Sequence, residues 1–72
     1  MREPEVVKKF VAPDGRVFKF GQRVEWTCRY RGTDNPHSGY VEMPWSDGMI
    51  YVIETEPRKS DNCLMWWRFK HL

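Results

Sequence analysis

The sequence predicts a small all-β fold, an antiparallel barrel of five to six short strands with an extra hairpin at its N-terminus. Several short segments alternate apolar and polar residues, as half-buried strands do. Turn sequences containing glycine or proline separate these segments, and no segment repeats apolar residues with the period of a helix. The chain has 72 residues, which is enough for one domain at most. Short strands joined by turns are typical of small barrels.

The first twenty residues predict a hairpin that precedes the barrel. Pro13-Asp14-Gly15 lies between two short apolar runs, and this tripeptide suits a turn because proline fixes φ while glycine accepts a positive φ. The apolar residues of the two runs are Phe10, Val11, Val17, Phe18 and Phe20. We therefore divide the single domain 1–72 into a hairpin extension, 1–20, and a barrel, 21–72.

Residues 22–30, "QRVEWTCRY", predict the first barrel strand. The residues predicted for its apolar face are Val24, Trp26, Cys28 and Tyr30, and those predicted for its polar face are Arg23, Glu25, Thr27 and Arg29. This strict alternation has the period of two residues that a strand requires. The next segment, "RGTDNPHSG" at 31–39, is rich in turn-forming residues and predicts a long polar loop.

Two further strands are predicted on either side of a tight turn at Ser46-Asp47-Gly48. The strand pattern resumes at residues 40–45, where Pro44 marks a strand end because it cannot donate a ladder hydrogen bond. Residues 49–54, "MIYVIE", are apolar on both faces up to Glu54, which predicts a central strand covered on both sides. Residues 55–62 predict a second polar loop.

This strand layout resembles that of SH3-like barrels over residues 18–72. Those barrels often carry a glycine before a valine-containing first strand, a second glycine before the next strand, and a leucine at the end of the last strand. The matching positions here are Gly21 with Val24, Gly39 with Val41, and Leu72. The resemblance implies a compact barrel whose surface loops recognise a partner.

The closing segment "CLMWWRFKHL", residues 63–72, is predicted to be a strand that separates its two tryptophans. Alternation places Trp67 in the core with Met65 and Phe69, and it places Trp66 on the face that carries Arg68. A surface tryptophan beside cations can anchor a protein interface or stack on a nucleic-acid base. The alternative is that Trp66 covers the barrel end or packs beneath the N-terminal hairpin.

A basic patch is the candidate binding site. If the closing strand pairs with residues 22–30, cations from both strands align beside Trp66. The predicted partner-binding residues are Trp66, Arg68, Lys70, Arg23, Arg29 and Arg31. The alternative is an ordinary solvated face that Glu25 and Glu42 largely neutralise.

The cysteines and histidines do not predict a metal site. Cys28 with His37 and Cys63 with His71 give the spacings C-x8-H and C-x7-H, whereas structural zinc sites take their ligands in closer pairs. A Cys28–Cys63 disulfide is equally unexpected, and we predict no cofactor.

The sequence offers no catalytic motif of the phosphate-loop or nucleophile-elbow type. "FGQRVEW", "YVIETE" and the final strand are similar in layout to plasmid-borne type II dihydrofolate reductases, which are tetramers with a pore lined by a V-Q-I-Y motif. Here residues 64–67 are Leu-Met-Trp-Trp, so the glutamine and tyrosine of that motif are missing. The resemblance implies the fold without that reaction, and we predict that the protein is not an enzyme.

The charge and hydropathy of the sequence limit the classes of partner that we expect. Twelve basic and ten acidic residues give a formal net charge of +2, well below that of domains whose charge alone predicts nucleic-acid binding. No apolar run approaches the ~20 residues of a membrane span, and the N-terminus lacks the apolar core of a signal peptide, so we expect a cytoplasmic protein that does not bind membranes.

Small phage or mobile-element barrel proteins are similar in size and composition. That similarity implies a non-enzymatic module that binds a host protein complex, with DNA or RNA binding as the alternative. A third alternative is a homo-oligomeric enzyme similar to the type II reductases, in which the apolar "MIYVI" strand and the final strand support self-association.

Overall fold

A computed structural model describes residues 3–71, which form two antiparallel sheets. The smaller sheet pairs β1 with β2, and the larger has the order β3-β4-β5-β6. The elements in chain order are β1 (Lys9–Val11), β2 (Val17–Lys19), β3 (Arg23–Tyr30), β4 (Thr33–Pro44), β5 (Met49–Glu56), β6 (Ser60–Met65) and a 3₁₀ turn (Trp66–Arg68). The prediction of a small all-β, barrel-like fold with an N-terminal hairpin is confirmed.

The N-terminal hairpin turns at Pro13–Gly15, as the sequence predicts. The amide of Gly15 donates to the carbonyl of Ala12, and Gly15 has a φ of +93°, which a residue with a side chain rarely adopts. Phe10 pairs with Phe18 across the two strands. Phe18 is buried in the core and Phe10 packs against it, so this face of the hairpin covers the barrel.

The prediction of a long polar loop at 31–39 is wrong. Arg31 and Gly32 form a two-residue turn, and β4 begins at Thr33 and pairs with the whole length of β3. Arg31 has a φ of +52° and Gly32 a φ of +77°, the pattern of a hairpin turn whose twist matches its strands. Residues 33–38 are polar because this end of the sheet is solvated, and the backbone ladder does not require apolar side chains there.

The central position predicted for β5 is confirmed, since it pairs with both β4 and β6. The prediction that both faces are covered is wrong, because Met49, Tyr51 and Ile53 on the outer face are only partly buried. The pairing with β4 is irregular between Ser38 and Gly39. A side chain at Gly39 would clash with the carbonyl oxygen of Ile53, so this glycine permits the close approach of the two strands. β5 extends to Glu56, so the polar loop predicted at 55–62 is reduced to residues 57–59.

The end of the chain closes the curled sheet against the free edge of β3. Phe69 forms an antiparallel bridge with Trp26, and the amide of Lys70 donates to the carbonyl of Glu25 at 2.8 Å. The enclosed core is apolar, and its residues are Ala12, Phe18, Val24, Trp26, Val41, Ile50, Val52 and Phe69. Leu72, which the predicted barrel pattern included, lies outside the described residues.

The prediction that residues 63–72 form one strand, with Trp67 in the core and Trp66 on the surface, is wrong. β6 ends at Met65 and a 3₁₀ turn follows. Trp66 packs against the core, whereas 58% of Trp67 is exposed. Alternation with a period of two applies only within a strand, and a turn with about three residues per turn changes which side chains face inward. Phe69 is buried, as predicted.

Candidate functional site

Residues 68–70 lie antiparallel to β3 and bring Arg68 and Lys70 beside the strand that carries Arg23 and Arg29. The guanidinium Nη2 of Arg68 donates to the carbonyl of Thr27 at 3.0 Å, two residues along β3 from the hydrogen bond made by Lys70. Arg23 and Lys70 line the same cleft of about 90 Å³. We call this region the β3-edge surface, and its residues are Arg23, Arg29, Arg31, Trp67, Arg68 and Lys70.

Acidic neighbours offset only part of the charge of this surface. Arg23 lies 3.6 Å from the Glu25 carboxylate, and Arg29 lies 3.9 Å from that of Asp34. Both pairs are long and exposed, and such pairs contribute little free energy. Within residues 3–71, Arg31, Arg68 and Lys70 have no ion-pair partner. Their charges remain available to a partner molecule.

Trp67 replaces Trp66 as the aromatic residue of the β3-edge surface. Its ring meets that of Trp66 edge to face, with 5.8 Å between centroids and an interplanar angle of 84°. Trp66 therefore supports Trp67 from the core side while Trp67 stays exposed beside Arg68. Sequence reasoning missed Trp67 because no glycine or proline between Met65 and Phe69 signals the turn.

Trp66 belongs to a contact that fixes the N-terminal hairpin to the end of the chain. The guanidinium of Arg16 lies 5.6 Å from the ring centroids of both Phe18 and Trp66, and it donates to the carbonyl of Phe69 at 2.7 Å. Its Nε also donates to the Asp14 carboxylate at 2.8 Å. These contacts agree with the alternative in which Trp66 packs beneath the hairpin.

A second exposed aromatic residue lies at the end of β3 next to the β3–β4 turn. Tyr30, next to the β3–β4 turn, is 64% exposed, and the guanidinium of Arg31 lies 5.3 Å from its ring centroid. The sequence placed Tyr30 on the apolar face with Trp26, but the sheet extends beyond the core at this point. Tyr30 therefore adds a second exposed ring at the end of the row next to the β3–β4 turn.

The four residues considered as zinc ligands do not come together as one group. Cys28 and Cys63 are free thiols, His37 contacts Glu54, and His71 lies 3.6 Å from Asp14. Among the described residues, no group of three or more His, Cys, Asp or Glu side chains could hold a metal ion.

The chain matches no family model, and no curated protein or solved structure matches it either. Between residues 3 and 71, no helix has the length and apolarity needed to cross a membrane.

Proposed function

We propose that this chain is a non-enzymatic interaction module that binds a partner protein through the β3-edge surface. The observation that carries the proposal is the exposed Trp67 beside Arg68, supported from below by Trp66. Tryptophan and arginine are the residue types that most often dominate the binding energy of protein interfaces. A ring held by a packed neighbour also loses little conformational freedom on binding.

The charges of the surface favour a protein partner over a general nucleic-acid partner. Glu25 and Asp34 lie among its arginines, which gives the mixed charge common at protein interfaces. The formal net charge of +2 adds little long-range attraction for a polyanion. The partner that fits is a protein with an apolar pocket bordered by acidic groups. By the resemblance to small phage and mobile-element barrel proteins, we place this partner in a host cytoplasm.

Capture of partners by the tagged protein from a lysate of the cell that carries the gene tests this proposal. We compare the wild type with Trp67→Ala and with Phe20→Ala, a control at another exposed ring. The wild type and Phe20→Ala should retain the same partner at near-physiological salt, and Trp67→Ala should lose it. Equal retention of that partner by all three would contradict the proposal, as would the absence of any stable partner.

Nucleic acid is the second candidate, and the five cations with two exposed rings, Trp67 and Tyr30, favour it. β3 has eight residues, which at about 3.3 Å per residue gives a row about 26 Å long. Arginine and lysine would contact phosphates while Trp67 and Tyr30 stack on bases.

A salt titration of oligonucleotide binding tests this second candidate. If most of the five cations contact phosphates, log K should fall against log salt with a slope of about −3. A flat titration, or no binding to single or double strands, excludes it. Neither candidate includes catalysis, because residues 64–67 lack the glutamine and tyrosine of the reductase motif.

A further inference from the structure

A polar cluster lies on the inner face of the larger sheet, around the buried Glu54. Glu54 on β5 is 4% exposed and is the one charged residue buried among those described. The side-chain amide of Asn62 donates to its Oε1 at 3.0 Å, and Nδ1 of His37 lies 2.9 Å from the same oxygen. A buried carboxylate costs more free energy than an apolar side chain of similar size.

The cluster holds the imidazole of His37 in one orientation. The ring stacks on Trp26, with 5.8 Å between centroids and an interplanar angle of 20°. The contact of Nδ1 with Glu54 is short, but the N–H direction does not meet the geometry of a hydrogen bond. It is therefore a close electrostatic contact rather than a hydrogen bond. The His37 side chain is 17% exposed, and it lines the cleft described next.

An open cleft of about 590 Å³ lies in front of His37, a volume typical of small-molecule sites. Its lining combines an aromatic ring, two guanidinium groups and hydrogen-bonding side chains. The residues used below are Tyr30, Asn35, His37, Pro57, Arg29 and Arg58.

We propose that this cleft binds a free mononucleotide, a planar heteroaromatic ring that carries a phosphate. Tyr30 and Pro57 supply apolar surface for the heteroaromatic ring. The guanidinium groups of the two arginines can each donate two parallel hydrogen bonds to phosphate oxygens. Arg58 has no ion-pair partner within residues 3–71, and the contact of Arg29 with Asp34 is 3.9 Å long. Both cations can therefore turn to a ligand.

Hydrogen bonds from the wall of the cleft would orient the ring. The side-chain amide of Asn35 donates to the carbonyl of Thr33 at 3.1 Å, which leaves its carbonyl oxygen as an acceptor. The imidazole of His37 is fixed by its contacts with Glu54 and Trp26, so its polar ring edge is already oriented before a ligand binds. A buried cluster that only stabilised the fold would not require two cations and an aromatic ring at its mouth. This site is separate from the proposed protein-binding function, although Arg29 belongs to both regions.

Calorimetry with adenosine monophosphate, adenosine and inorganic phosphate tests the proposal on the wild-type protein. The monophosphate should bind about tenfold more tightly than either fragment, because ring and phosphate contacts combine. Arg58→Ala should weaken that binding about tenfold. Lys59→Ala, at the adjacent exposed position, should leave it unchanged. His37→Gln should weaken it as well, with the fold checked by circular dichroism.

Three results would overturn the nucleotide site. They are no binding of the monophosphate at millimolar concentration, equal affinity for inorganic phosphate, and equal affinity of Arg58→Ala and the wild type. Trp67→Ala separates this site from the β3-edge surface, since it should lose the partner protein and keep the nucleotide. Loss of the nucleotide in folded Trp67→Ala would also overturn the assignment to this cleft.

Discussion

Trp66 and Trp67 are adjacent in the chain, but their surroundings assign them different roles. Trp66 packs against the core and against the guanidinium of Arg16, and its amide donates to the carbonyl of Gly48 at 2.9 Å. Gly48 is needed there, because a Cβ at this position would lie 2.7 Å from Cδ1 of Trp66. Trp67 is supported by Trp66 and otherwise faces solvent. The first ring therefore stabilises the fold, and the second is available to a partner.

Alanine substitutions of the two tryptophans should separate these roles. Trp66→Ala should lower the free energy of unfolding by about 3 kcal/mol, because it leaves a cavity at the core. Trp67→Ala should lower it by less than about 1 kcal/mol, since an exposed ring loses little burial. Urea denaturation measures both. A larger loss for Trp67→Ala than for Trp66→Ala would contradict the arrangement of the 3₁₀ turn.

At the level of elements, two connections that the sequence pattern did not indicate form the β3-edge surface. The two-residue turn at Arg31-Gly32 lets β4 pair along all of β3, and the 3₁₀ turn directs residues 68–70 to the opposite edge of β3. The first connection sets one end of the cation row. The second adds Arg68 and Lys70 to it and exposes Trp67. Both turns therefore contribute directly to the candidate site.

The left-handed conformation of Arg31 predicts a stabilising substitution. Its φ of +52° is unfavourable for a long side chain, whereas asparagine before glycine is the preferred pair for this type of hairpin turn. Arg31→Asn should raise the free energy of unfolding by about 0.5 kcal/mol. Thermal unfolding measures the change, with Arg29→Asn in the strand as the control. A lower stability for Arg31→Asn than for the wild type would count against the two-residue turn.

The hairpin contact of Arg16 with Asp14 predicts an acid-dependent contribution to stability. The backbone N–H of Arg16, followed by its guanidinium, lowers the pKa of Asp14 below its ordinary value of 3.8. A lowered carboxylate pKa in the folded state stabilises the protein above the ordinary value, and that stability is lost as the pH falls through the folded pKa. Asp14→Asn should remove this part of the pH dependence.

Thermal midpoints measured across the acidic range test this contribution. The difference in midpoint between the wild type and Asp14→Asn should be constant near neutral pH and should shrink below the ordinary Asp14 value of 3.8. Asp47→Asn, a carboxylate in the second tight turn, serves as the control. Parallel midpoint curves for the wild type and Asp14→Asn at all pH values would show that the ionisation of Asp14 is not linked to folding.

At the scale of the whole molecule, sequence reasoning works where side-chain period and turn chemistry act locally. The alternation around Trp26 predicts β3, and Pro13–Gly15 predicts the first hairpin. Sequence reasoning fails where pairing with a distant strand decides the local structure. The polar residues 33–38 form a strand because their backbone groups hydrogen-bond to those of β3. Trp67 is exposed because of a 3₁₀ turn that no glycine or proline in the sequence indicates. Arg68 and Lys70 lie beside β3 because the end of the chain pairs with that strand, the condition on which the predicted basic patch depends.

The affinity of the captured partner protein for purified wild-type and Trp67→Ala proteins tests the central claim most directly. Both proteins should show the same fold, with Phe20→Ala as the matched control at an exposed ring. We predict that Trp67→Ala weakens binding by about 30-fold, which corresponds to about 2 kcal/mol at an interface hot spot. Equal affinity of folded Trp67→Ala and the wild type would contradict the assignment of the β3-edge surface.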